Sequence, residues 1–377
     1  MTAALLSILP GSAAAGSLLD WMTAGAERMR PGGHGAAAGV DNAELLTLEP
    51  GENEIYPRSG GRGEFFVTVL RRDRVTLERR ALENGDPLNE VTEDPVPDSV
   101  QWRDGALLFL STQVGGLGLW RKPADGMGLS MRIHQFAGRV EQPLLLADGS
   151  VIAVRLAAPA RIGGERLRRR HGRPDPFDNW SRQGARAYIV RIAPDGTERR
   201  LADGINPALS PDGTWVAFSM AVGRSRHLFL MRTDGGALTQ LSSGRAVDVQ
   251  PAWSPDGRWI VFTSNRGRAD MRHPSRSNWD LWMIRRDGRS IFRLTRDPAR
   301  DGAPVFTPDG GAVLFHSDRR IGKQERMRHG VRHIRRGFHV WRIALPAELL
   351  ATPDDRGEGR RFSDAPRRGR ARSTSVR

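Results

Sequence analysis

One short phrase recurs along this chain and constrains its fold more than any other feature. It reads Pro207-x-x-Ser210-Pro211-Asp212-Gly213, then Pro251-x-x-Ser254-Pro255-Asp256-Gly257, then Pro304-x-x-Thr307-Pro308-Asp309-Gly310, with an eroded copy from Pro143 to Asp148-Gly149. In every copy the leading Pro and the Gly stand six residues apart, and an apolar run follows the Gly. A unit repeated in this way cannot bury its apolar face alone and must stack on its neighbours. The phrase is also a turn with a mechanism. Pro presets the backbone, Asp tolerates the next position, and Gly supplies the left-handed residue that closes it.

Short β-segments flank the turn. Pro251-Ala-Trp253 leads into it and Trp259-Ile-Val-Phe262 leaves it. Equivalent second strands are Phe65–Val69, Leu107–Leu110, Val151–Val154, Trp215–Phe218 and Val313–Phe315. Third strands follow at Leu117–Trp120, Tyr188–Ile192, Leu228–Met231, Leu281–Ile284 and Val340–Ile343. A second Asp-Gly turn usually comes next, as at Asp234-Gly235 and Asp287-Gly288, and then a fourth strand. Four antiparallel strands joined by tight turns make a propeller blade. Counting the Gly after each first strand (63, 105, 149, 213, 257 and 310) gives six blades. The expected fold is therefore all-β, a single six-bladed β-propeller over residues 43–350. A flexible arm or degenerate signal segment is expected over 1–42 and a disordered Arg-rich tail over 351–377. Ala43–Leu48 is expected to supply the missing fourth strand of blade six, in competition with Arg360–Asp364. The Trp residues at 102, 215, 253, 259, 282 and 341 fall on strands at blade spacing and read as core.

Among 377 residues there is no cysteine, which removes disulfides, thiolate metal sites and cysteine nucleophiles. No apolar run approaches the roughly 20 residues of a membrane span. The start has an apolar stretch at Ala3–Leu9 and a small-residue run at Ala13–Ala15, like the later part of a secretory signal, but no Lys or Arg precedes it. The expected location is periplasmic or secreted, with a cytoplasmic one as the alternative.

Pro-Ala-Trp253-Ser-Pro-Asp-Gly257, Ile260-Val-Phe-Thr-Ser264, Trp279-Asp-Leu-Trp-Met283, Asp287-Gly288 and Arg293-Leu-Thr295 together resemble the repeat of the TolB-like, or WD-like, β-propeller family. The resemblance is strongest in blades four and five. It implies fold rather than function, because these are turn and core residues. Two departures matter. The fifty-odd residues ahead of the first blade are too few for the α/β domain that TolB itself carries there. No Gly-x-Ser-x-Gly elbow of the hydrolase relatives occurs, so the protease reading fails.

The net charge of +15 is unevenly placed. Loops joining second to third strands share one face with the links between blades, and three are long: Arg161–Trp180, Arg266–Trp279 and Arg319–Phe338. They hold 18 Arg or Lys against five carboxylates, and the tail holds eight Arg against four. Such a face attracts anions by steering and by guanidinium forks. The binding candidates are Arg168, Arg169, Arg170 and His171 in blade three, Arg272 and His273 in blade five, and Arg326, Arg328 and His329 in blade six. Gln142, Asn206 and Gln250 each precede a blade-opening Pro and are expected to rim the channel. There they could bind a peptide backbone or only hydrate the pore. Ser264-Asn-Arg266 and Ser317-Asp-Arg319 close second strands and read as turn caps rather than catalytic groups.

The function expected is a non-catalytic, monomeric scaffold that binds an acidic protein segment or anionic polysaccharide through the basic loop face and channel mouth. Nucleic acid is disfavoured, since the loops offer few aromatics for base stacking. No catalytic residue, metal ligand or cofactor is assigned. The bland alternative is that the loops are solvated and hold nothing. The enzymatic alternative is a lyase or hydrolase of acidic polysaccharide, as some relatives of the family imply. It would use Arg and a His set drawn from His171, His273, His316, His329 and His333, with 329 and 333 on one face of a helix over 325–336.

Overall fold

Apolar residues run almost without interruption through each second strand because both faces of every sheet are covered. In Glu64–Leu70, Phe65, Val67 and Val69 point to one neighbouring blade while Phe66 points to the other. In Trp259–Ser264, Ile260 and Phe262 pack towards blade four and Val261 towards blade six. The period-two alternation of a strand thus feeds two cores at once.

The computed structural model describes residues 41–346 apart from 73, 104, 113–114, 157–186, 270–276 and 332–336. It contains six four-stranded antiparallel sheets, each one blade. Blade five, for example, is Asp248–Trp253, Trp259–Ser264, Asp280–Arg285 and Ile291–Arg293 in sequential order. Six apolar clusters lie between successive blades, and the last of them packs Leu314 and Val340 of blade six on Phe65, Val67 and Val69 of blade one. The blades therefore close into a ring with no free sheet face.

Ring closure uses the N-terminal segment. Glu44–Leu45 pairs antiparallel with His339–Ala344, so blade six is ordered from Glu44–Leu45 inwards through His339–Ala344 and Ala312–Ser317 to Asp301–Phe306. Leu46 and Thr47 both donate their N–H to the Val340 carbonyl. The anchor lies just ahead, at Asp41. Its carboxylate takes Arg319 Nη1 at 2.5 Å and Nη2 at 3.1 Å, and the Arg296 N–H at 2.7 Å. Asp41 and Arg319 are both almost fully buried. Arg319 in turn holds Asp301 at 2.6 Å. Both flanking charges keep Arg319 protonated, its pKa raised by Asp301 and Asp41 against the desolvation that burial imposes. The propeller body thus begins two residues earlier than the sequence pattern suggests. Arg360–Asp364 and the remainder of the arm and tail lie outside the described residues.

The Ser-Pro-Asp-Gly turns form as the sequence implies. In blade four the Gly213 N–H reaches the Ser210 carbonyl at 2.9 Å, Gly213 has φ +69°, and Ser210 Oγ accepts the Trp215 N–H. Trp253, Trp282 and Trp341 are buried, and Trp215 and Trp259 are half-buried. Trp102 departs from expectation: it is 38% exposed, on the short strand Gln101–Arg103, and lines the channel cavity instead of a core.

If Asp41 locks the ring, Asp41→Ala should lower unfolding stability by about 3 kcal/mol, the scale of a broken buried ion pair. Removing the exposed Arg200–Asp203 pair should cost well under 1 kcal/mol. Equal urea midpoints for the two variants would contradict this closure.

Candidate functional site

Each blade's first strand lines the central channel, and five of the six are broken at the same place; in blade two the equivalent residue, Asp98, lies ahead of the strand Gln101–Arg103. Tyr56, Asp98, Gln142, Asn206, Gln250 and Ala303 all have φ between +47° and +63°. In five blades this residue precedes the blade-opening Pro and sits within a register shift of the ladder. The local backbone is strained for a non-Gly residue and must be held by its surroundings.

The holding is circumferential. The Asn206 N–H donates to Gln142 Oε1 at 2.8 Å, the Gln250 N–H to Asn206 Oδ1 at 3.3 Å, and the Ala303 N–H to Gln250 Oε1 at 2.8 Å. Gln142 Nε2 donates back to Asp98 Oδ2 at 2.6 Å, and Arg58 Nη2 to Asp98 Oδ1 at 2.6 Å. Burial nevertheless pushes the Asp98 carboxyl above its usual range. Ala303 has no side-chain carbonyl to pass on to blade one. His316, opposite Gly302 in the ladder, takes its place and accepts the Tyr56 N–H at Nδ1, 3.1 Å away. Gln142, Asn206 and Gln250 thus do line the channel cavity, and their carbonyl oxygens are engaged in blade-to-blade bonds.

Residues from these bulges to the following turns line a cavity of about 700 Å³, among them Arg58, Asp98, Trp102, Arg103, Asn206, Asp212 and Trp253. It occupies the half of the channel nearest the Ser-Pro-Asp-Gly turns. The second-to-third-strand loops depart from the opposite end, where the first strands begin. Three register pairs mark the mouths of the long loops: Leu156↔Ala187, Ser264↔Asp280 and Ser317↔His339. The interblade links run beside them, with parallel bridges Arg226↔Val247 and Trp279↔Arg300.

Arg168, Arg169, Arg170 and His171 lie outside the described residues, as do Arg272, His273 and His333. Arg326 and Arg328 lie on a helix, Lys323–Arg328, that ends before His329 and is followed by Gly330 at φ +68°. The helix is shorter than the expected 325–336. Arg326 lines a recess of about 530 Å³ beside the blade-five link.

Two Arg residues counted with the basic loops are structural. Ser264 Oγ, Arg266 and Ser242 Oγ all converge on the fully buried Asp248 carboxylate, with His227 Nδ1 at 3.6 Å. Although burial alone would raise it, the contacts of His227, Arg266 and Ser242 with Asp248 hold its pKa down. Ser317 Oγ and Arg319 converge in the same way on Asp301, whose complete burial nevertheless pushes its pKa up. Ser264 and Ser317 also cap the turns, accepting the N–H of Arg266 at 3.1 Å and of Arg319 at 3.3 Å. Arg226, half-buried at the loop end of blade four, was missed in the sequence. Desolvation lowers its pKa, and among the described residues no carboxylate offsets it.

His316 cannot serve a mouth site. It is wholly buried, edge-on to Tyr56 and Phe338 with ring centroids 5.3 and 5.4 Å away. Among the described residues no group of three or more His, Asp or Glu side chains is placed to hold a metal. Burial, aided by the Arg58 and Arg300 charges, pushes the His316 pKa down to about 3. The unfolded chain binds a proton near pH 6.5 and the folded chain does not. The stability contributed by the neutral ring is present above pH 6.5 and is lost as pH falls towards 3. Asp280 titrates with the opposite sign, burial pushing it up to about 7, so its contribution is lost as pH rises through that window. Comparing variant with parent isolates the imidazole. Relative to the parent, His316→Asn should gain up to about 1.4 kcal/mol per pH unit as pH drops from 6.5 to 4. A pH-independent difference in urea unfolding would contradict the assignment.

Residues 180–271 match the family model described as the TolB beta propeller domain. Among solved structures, a candidate TolB of Agrobacterium tumefaciens aligns at 21% identity over 61% of this chain and 73% of its own, with a TM-score of 0.42. TolB of Acinetobacter baumannii aligns at 16% over 78% of this chain and 63% of its own, with a TM-score of 0.47. An oligogalacturonate lyase of Vibrio parahaemolyticus aligns at 12% over 82% and 96%, with a TM-score of 0.48. At such identities these likenesses carry no chemistry across. No protein of curated function matches the sequence. Among the described residues no helix is long and apolar enough to cross a membrane.

Proposed function

We propose that this six-bladed propeller, whose residues 180–271 match the TolB beta propeller domain, is a non-catalytic scaffold whose loop face holds an acidic or anionic partner, an acidic protein segment or an anionic polysaccharide. The observation that carries the reading is the common end at which the Leu156↔Ala187, Ser264↔Asp280 and Ser317↔His339 pairs stand. Those pairs bracket the segments that concentrate the chain's positive charge. Once Arg266 and Arg319 are set aside as internal, 16 basic residues remain there against five carboxylates. Arg226 lies at the same end, a desolvated cation bonded to the Ser219 carbonyl and without an offsetting carboxylate among the described residues. Cations so placed gain by receiving an anion from outside.

The turn-side cavity opens at the other end and has no part in this contact. Its most prominent carbonyl acceptors are already engaged between blades. The site residues proposed on the loop face are Arg168, Arg169, Arg170, His171, Arg272, His273, Arg326, Arg328 and His329, with a monomer as the working unit. A periplasmic or secreted location, with Met1–Asp20 as the export segment, belongs to the same proposal.

Changing Arg168, Arg169, Arg170, Arg326 and Arg328 together to Glu tests it. The variant should lose retention on immobilised poly-glutamate and on an acidic polysaccharide at about 0.1 M salt, where screening still permits the contact. Its melting temperature should change by only a few degrees, since surface substitutions are individually small. Unaltered retention would reduce the loops to solvated decoration.

A further inference from the structure

The recess lined by Arg326 has a chemically distinct floor. Its walls are Asp297, Pro298 and Ala299 from the blade-five link, Asp318 to Ile321 after the second strand of blade six, Arg326 from the short helix, and Gly337 and His339 at the start of the third strand. His339 is almost fully buried. Its Nδ1 stands 2.8 Å from Glu54 Oε2, a carboxylate that is itself fully buried. A carboxylate only accepts, so Nδ1 carries a proton, and Nε2 offers a lone pair in the tautomer that this contact selects. That Nε2 is buried and has no hydrogen-bond partner among the described residues.

Gly337 keeps the space beside this nitrogen open. A β-carbon there would stand 3.7 Å from His339 Nε2, and also 2.9 Å from the Glu52 carbonyl and 3.0 Å from Asn53 Oδ1. Any larger residue would crowd both the backbone and the recess. In the same recess Arg326 Nε is likewise buried, with no hydrogen-bond partner among the described residues, and Arg320 is exposed on the rim.

The acids of the recess are largely occupied. Asp318 takes the Arg300 N–H at 2.8 Å and its guanidinium at 2.9 and 3.0 Å. Asp297 Oδ1 caps the Ala299 N–H at 2.9 Å. Arg319 is held by Asp41 and Asp301. What the pocket offers a ligand is therefore cationic donors on Arg320 and Arg326, beside a buried lone pair on His339.

We propose that this recess binds a small oxyanion that carries its own hydroxyl, such as a hydroxy-carboxylate or a monoprotonated phosphate. The oxyanion lies on Arg326 and Arg320, and the hydroxyl donates to His339 Nε2. A bare carboxylate satisfies the guanidinium but sets its own lone pairs against the imidazole nitrogen, whereas a hydroxyl beside the charge satisfies both. The volume, about 530 Å³, leaves room for a ligand larger than this head group. The proposal deepens the loop-face reading and rests on it, since Arg326 belongs to both.

The test uses the full chain with ¹⁵N-labelled histidine, titrated with glycerate, with inorganic phosphate, and with propionate and chloride as controls. The His339 Nε2 resonance should move saturably with glycerate or with phosphate, and whichever acts identifies the source of the oxyanion. Propionate, which lacks the hydroxyls, should bind at least about tenfold more weakly, and Arg326→Gln should weaken the active ligand by a similar factor. His339→Asn should abolish the response, but it also strips Glu54 of its partner. The exposed Arg320→Gln therefore serves as a second variant that leaves the core untouched. A resonance unmoved by either hydroxylated anion, or moved equally by propionate and chloride, overturns the proposal. If poly-glutamate retention persists in that case, only the recess has failed. If retention is also absent, the loop-face reading falls with it.

Discussion

The structure depends on a belt of hydrogen bonds around the channel, in which the strained backbone of one blade is tied to a side chain of the preceding one. Five first strands bend at Tyr56, Gln142, Asn206, Gln250 and Ala303, and the approach to the sixth bends at Asp98, each in the left-handed region. A bend there frees an N–H from the ladder, and a buried N–H left without an acceptor costs about 1–3 kcal/mol. The amide carbonyls of Gln142, Asn206 and Gln250 each receive the N–H of the next bend. The belt crosses the six-to-one seam through His316, and Arg58 joins blade one to Asp98. Apolar clusters between blades supply cohesion. The belt sets the angle at which the blades meet.

This arrangement divides the molecule by function. The channel centre is committed to holding the ring, and the buried Asp248 and Asp301 clusters are committed to holding first strands to second. Neither leaves much for a ligand. What remains uncommitted is at the loop end, where long excursions leave Leu156, Ser264 and Ser317, and where Arg226, Arg326 and His339 present groups that the fold itself leaves unsatisfied or desolvated. A propeller of this kind can change its loops without disturbing its own closure.

Much of this was legible in the sequence because it is local. Pro, Ser-Pro-Asp-Gly and the apolar run all act within a dozen residues, so blade number, turn positions and second strands could be read directly. Even the closing strand at Ala43–Leu48 followed from blade six lacking a fourth strand of its own. The belt was half legible: the polar residues Gln142, Asn206 and Gln250 before three blade-opening Pro residues were visible, but their acceptor role was not. Its partner lies one blade away, and blade two carries Asp98-Ser99 where the others have a Pro. His316 and Tyr56 are 260 residues apart, and His339 and Glu54 are 285, separations that no local pattern encodes. For the same reason charge counting could not separate Arg266 and Arg319, which neutralise buried aspartates, from Arg residues that face solvent. Trp102 was misread because spacing marks a strand position but not whether that strand meets a neighbour or the channel.

Amide hydrogen exchange at Asn206, Gln250 and Ala303 tests the belt most directly. If these N–H groups are bonded to the neighbouring blade, they should exchange only through global opening, as slowly as the amides of Ile260–Phe262 in the core. Gln250→Ala should release Ala303 while leaving Asn206 protected. Rapid exchange at all three positions in the parent protein, with the core still protected, would contradict the account.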